Sequence, residues 1–87
     1  MSRHEISARD PNHKIVVGWD HPLQTFFVQV IDRRLEEDDE EDKFVLWRGC
    51  RMREIYEVDQ LARLVNRYGE LTPDMGATLY GDKDEGR

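Results

Sequence analysis

A single cysteine, Cys50, is all the chain has, so no intramolecular disulfide is possible and its 87 residues must fold on packing alone. No apolar stretch approaches the length of a signal core or a membrane span, which excludes a membrane partner and leaves a cytoplasmic address as the expectation. No internal repeat is visible. His4, His13, His21 and Cys50 are every ligand type zinc needs, but no pair of them has the short spacing that makes such a site recognisable, so no metal and no cofactor is expected. Cys50 as a nucleophile would need a base beside it, and nothing in the sequence places a histidine there. Asp20 and His21 precede Pro22, and turn chemistry explains the trio before acid/base chemistry does. No catalytic residue is assigned, and the chain is read as a non-enzyme.

Charge, by contrast, is abundant: 37% of the residues are charged and 38% hydrophobic, with 19 acids against 13 bases. Seven of those acids stand consecutively from Glu36 to Asp42, so the rest of the chain is close to neutral and the net charge of -6 belongs to one segment. Seven adjacent carboxylates cannot be desolvated together, so the run is expected to be a solvated loop. Solubility and protection of a strand edge account for it. The sharper readings make Glu37, Asp38, Asp39 and Glu40 a hook for a basic protein partner, or a decoy that imitates nucleic-acid phosphates and inhibits a nucleic-acid-binding protein. A calcium loop is disfavoured because alternating ligands and a central glycine are missing.

The apolar residues follow two periods. Ile15, Val17 and Trp19 alternate with neighbours over His13 to Asp20, predicting a strand, and Thr25 to Asp32 and Lys43 to Gly49 predict two more. Asp20 to Gln24, broken by Pro22, reads as the first turn. After the link Gly49 to Arg53 the period becomes helical: Val58, Leu61, Ala62, Leu64, Val65 and Tyr68 form a stripe, with Gly69 as a stop. Thr72, Pro73 and Asp74 signal the start of a shorter second helix containing Met75 and Leu79, with Gly81 as its stop.

The expected fold is therefore α+β: a three-stranded antiparallel meander, a main helix and a short C-terminal helix. Residues 1–12 are read as a mobile arm, 13–81 as one domain carrying the acidic loop 36–42, and 82–87 as a disordered tail. Which parity of the second strand faces the helices stays open. Either parity leaves apolar residues on the far face, so Val16, Phe27, Ile31 and Trp47 are candidates for a protein contact, with a homodimer as the leading form. Arg48, Arg51 and Arg53 form the alternative, a nucleic-acid contact, although the neighbouring acids offer these arginines closer partners.

The string Gly18 to Val30, then the acidic stretch, then Leu46-Trp47-Arg48-Gly49 and Arg53-Glu54-Ile55, resembles small uncharacterised proteins encoded on bacterial plasmids and related mobile elements. The similarity spans residues 13 to 71. It implies a bacterial protein that acts by binding host or plasmid components, and it carries over no functional residue.

Overall fold

The computed structural model describes residues 2–35 and 43–86. Within them the backbone forms β1 (His4–Ile6), β2 (His13–Asp20), β3 (Thr25–Asp32), β4 (Phe44–Arg48), α1 (Val58–Val65) and α2 (Pro73–Glu85). The strands make one antiparallel sheet in the order β1-β2-β3-β4, so the α+β class holds while the sheet has four strands rather than three. The acidic run lies outside the described residues.

The added strand comes from the segment expected to be a mobile arm. His4 stands opposite Val17 and Ile6 opposite Ile15, and beyond the strand the Ser2 N–H donates to the Trp19 carbonyl at 3.0 Å. Ala8 then bridges to Gly69, and the Arg9 N–H reaches the Tyr68 carbonyl at 2.9 Å. Three residues are too few to show an alternating pattern, and it is the free backbone edge of β2 that orders them.

Register settles the parity. Ile15 pairs with Val30, Val17 with Val28 and Trp19 with Phe26, so one face carries all six, and Ile55, Val58, Leu61, Val65 and Leu79 close over them. Trp19 meets Phe26 edge to face, with ring centroids 4.9 Å apart.

The helices differ in detail from expectation. α1 has 8 residues and α2 has 13, so the C-terminal helix is the longer. α1 ends at Val65 with Asn66 as its cap, and Gly69 serves close approach instead of a left-handed stop: a Cβ there would lie 2.6 Å from the Ser7 carbonyl oxygen and 2.7 Å from the Ile15 side chain. At the start of α2 the Thr72 hydroxyl accepts from the Met75 N–H at 3.2 Å and Pro73 is the first helical residue, as the sequence predicts.

The helix then runs through Gly81, taking up part of the tail expected to be disordered. Two contacts hold its end. Asp82 is buried against His4, with Oδ2 and Nε2 2.7 Å apart, and the Lys83 ammonium sits 3.6 Å over the Tyr56 ring while donating to the Tyr56 carbonyl. Gly86, at φ 70°, ends it.

Candidate interaction site

The face of the sheet away from the helices does not present the broad apolar surface expected of it. Val16, Phe27 and Ile31 are buried within the chain, with Phe44 packed against them. The cause lies at Gly18, opposite Phe27 in the register: a Cβ at Gly18 would meet the Phe27 ring at 2.6 Å. The absence of a side chain at Gly18 thus leaves room for the ring to lie over β2 and cover the face from inside. These three are corrected from contact residues to a second small core.

Trp47 is the exception among the four apolar candidates. It is 47% exposed although its ring stacks on Phe44 at 4.5 Å between centroids, and Val45 beside it is 43% exposed. Ile31 pairs with Phe44 and Val30 with Leu46, which leaves Val45 as an extra residue without a partner in β3. Such a bulge bends an edge strand and re-aims its side chains. Among the described strands β4 has a neighbour on one side only.

Beyond β4 the link folds back on the first turn, and its residues are held by named bonds. The Arg53 N–H donates to the Leu23 carbonyl at 3.0 Å, and its guanidinium donates twice to Gln24 Oε1 at 3.2 and 3.3 Å. Both residues have positive φ, 54° at Arg53 and 50° at Gln24. The buried Thr25 hydroxyl accepts from the Ile55 N–H at 2.8 Å and anchors the end of the link. Arg48 Nε donates to Glu54 Oε2 at 3.0 Å, tying strand to link.

Two clefts open on this surface, and Trp47 and Cys50 line both. One, of about 300 Å³, also takes in Leu23 and Phe27, with Arg3 and Asp20; the other, of about 380 Å³, adds Arg48, Arg51 and Glu54. Met52, 67% exposed, stands in the same link. An exposed tryptophan beside a methionine and arginines has the composition that carries most contact energy in protein interfaces.

Electrostatics here opposes nucleophilic chemistry. Partial burial, then the Glu54 carboxylate, push the Cys50 thiol above its ordinary value, while Glu54, pushed up by its own burial, is brought lower on balance by Arg48 and the Gly49 and Arg51 N–H groups. Neither cleft that holds Cys50 is lined by a histidine. Alkylation of Cys50 by iodoacetamide is accordingly expected to rise with pH along a curve displaced above that of a free thiol, with a slower rate at neutral pH, measured by mass spectrometry.

The other candidates do not converge. His4 pairs with Asp82, His13 lies edge-on to Tyr68 at 6.1 Å, and His21 lines a separate cleft with Trp19, Tyr56 and Lys83. Among the described residues no three metal-ligating side chains cluster, and no helix is long and apolar enough to cross a membrane. Glu37, Asp38, Asp39 and Glu40 lie outside the described residues. Of the three arginines proposed for nucleic acid, Arg48 and Arg53 already bond side chains of the chain itself.

The chain matches no family model, and no curated protein or solved structure matches it.

Proposed function

We propose that the chain is a non-enzymatic interaction protein that engages a protein partner, itself included, through the surface around Trp47. The observation that carries this reading is the exposure of Trp47 on an edge strand where it lines two clefts, next to a link whose backbone is fixed by Arg53, Gln24 and Thr25. A large aromatic left half in water beside concave, preformed surface loses solvent exposure when a partner docks, at little cost in ordering the loop. The acidic run preceding β4 adds long-range attraction for a basic partner surface.

A photo-crosslinking amino acid placed at position 47 and expressed in the native host tests this. Covalent protein adducts are expected at 47 and not at Tyr80, an exposed aromatic on α2 that serves as control. Adducts equal at both positions, or none at 47, would sink the reading.

Nucleic-acid binding is the weaker alternative, because internal bonds already engage Arg48 and Arg53. It requires retardation of DNA or RNA that weakens steeply with salt and is lost in Arg51→Ala.

A further inference from the structure

We propose that the cleft lined by Gln29 and Trp47 binds an adenine nucleotide, with the base stacked on the Trp47 indole, its amine and neighbouring ring nitrogen on the Gln29 amide, and its phosphate on Arg3. This goes beyond the protein contact at Trp47 and does not depend on it.

Gln29 carries the argument. It is 9% exposed, lies in the middle of β3 and lines the cleft of about 300 Å³. Among the described residues nothing hydrogen-bonds its side-chain amide. The amide is not sealed off either, because the fully buried side-chain nitrogen or oxygen that lacks a partner among those residues is Trp19 Nε1. Both polar atoms of Gln29 therefore reach open space, and the cleft that Gln29 lines gives them that opening. Buried polar groups in folded proteins are nearly always paired, so an accessible amide set among Leu23, Phe27 and Trp47 is fitted to an incoming partner. Its oxygen accepts and its NH2 donates side by side, which matches a planar edge carrying one donor beside one acceptor. Adenine has such an edge in its N6 amine and N7, the pair that a glutamine engages with two hydrogen bonds.

The register puts a stacking surface beside that amide. Gln29 stands opposite Trp47 on β4, and side chains directly opposite on paired strands lie on one face within contact of each other. Phe44 packs against the indole without lining the cleft, so the packed side of the indole and the side facing the cleft are different ones. A base laid on the indole from the cleft has its edge toward Gln29, and stacking of this kind is a main source of affinity for bases.

Arg3 and Asp20 supply the remaining polarity of the cleft. Asp20 Oδ1 accepts from the Leu23 N–H at 3.3 Å, which leaves the second oxygen for ribose hydroxyls. Among the described residues the exposed Arg3 guanidinium has no hydrogen bond or ion pair, not even with Asp20 in its own cleft. An uncommitted guanidinium at the mouth of a cleft is suited to a phosphate. The cleft is at the small end of ligand sites and offers one exposed aromatic, whereas a nucleic-acid strand needs a succession of stacking platforms. A free nucleotide is therefore the occupant.

Titration of the full chain with AMP, followed by nuclear magnetic resonance, is the test. Saturable shifts are expected at the Gln29 side-chain amide and the Trp47 indole N–H, and AMP should slow alkylation of Cys50, which lines the same cleft. Adenosine should bind more weakly than AMP, and purine riboside, which lacks the exocyclic amine, more weakly than adenosine. Gln29→Leu, with an unchanged circular dichroism spectrum, is expected to raise the AMP dissociation constant about ten-fold or more, as loss of a two-bond base contact does. Should that variant not fold, Arg3→Ala, at an exposed position, keeps the test open: it should bring AMP down to the affinity of adenosine. No saturable shift at millimolar AMP would overturn the proposal. So would purine riboside binding as tightly as adenosine, a folded Gln29→Leu that binds AMP as the parent does, or an Arg3→Ala that still prefers AMP to adenosine as the parent does. An oligoadenylate strand binding far more tightly than AMP, with steep salt dependence, would overturn it in favour of single-stranded nucleic acid. Failure to bind AMP leaves crosslinking at position 47 to stand or fall by itself, so the two readings fail separately.

Discussion

Phe26→Ala is expected to lower the midpoint of thermal unfolding by roughly 12–40 °C, because removing a buried phenylalanine costs about 3–5 kcal/mol and each kcal/mol moves a domain of this size by about 4–8 °C. The position is fully buried in the centre of the sheet face that the helices cover. Its ring is edge-on to Trp19 at 4.9 Å and to Tyr80 at 6.5 Å, so truncation removes aromatic contacts to β2 and α2 together. The Lys83 ammonium stands 5.8 Å from the same ring, on the turn of α2 that also holds Tyr56. The cavity cannot collapse readily, since the Phe26 backbone is pinned by its N–H bond to the Ile55 carbonyl at 2.7 Å and by the Thr25 hydroxyl on its own carbonyl at 2.9 Å. Small domains have little stability in reserve, and a loss of this size leaves a large unfolded fraction at 37 °C. Calorimetry showing a fall of less than about 5 °C would mean that the Trp19–Phe26 pair is not the centre of this core.

That centre was readable in the sequence as two alternating strands, whereas its partner elements were not equally so. β2 and β3 announce themselves because each has eight residues with enough apolar side chains for a two-residue period to show. β1 cannot, since its order depends on hydrogen bonds to β2 across the chain rather than on its own residues. The same holds at the other terminus: Gly81 is a sound local signal for a helix end, but Asp82 against His4 and Lys83 over Tyr56 outweigh it. Local propensity is worth about 1 kcal/mol at a glycine, and two tertiary contacts exceed that.

The surface around Trp47 was half legible. Placing an aromatic on the far face needs only strand parity, and Trp47 is there and exposed. Knowing that Val16, Phe27 and Ile31 are not exposed needs the register that sets Phe27 over Gly18, which no single-strand pattern contains. The clefts depend on the link folding back on the first turn, held by Arg53, Gln24 and Thr25. Two residues at positive φ without being glycine gave no sequence signal for that fold.

Gly49→Ala is expected to destabilise the chain by about 2–6 kcal/mol, the sum of roughly 1–3 for a side chain in an unfavourable backbone region and roughly 1–3 for overpacking. Its φ of +94° is one that side chains other than glycine's rarely adopt. A Cβ there would lie 2.3 Å from the Phe26 carbonyl oxygen and 2.6 Å from the Phe27 Cα, and backbone atoms of a strand paired on both sides cannot swing aside as the end of a flexible side chain can. Gly49 also joins β4 to the link, so the strain falls between Trp47 and the arginines and should open both clefts they share. Gly81→Ala is the control that separates glycine loss in general from this position. It lies inside α2 with no atom within 4 Å of a new Cβ, so the same change there should stabilise by about 0.5–1 kcal/mol. Urea titration of the two variants should therefore give midpoints shifted in opposite directions. A Gly49→Ala midpoint at or above that of the parent would show that the link does not need the backbone turn drawn here, and the preformed surface around Trp47 would lose its physical basis.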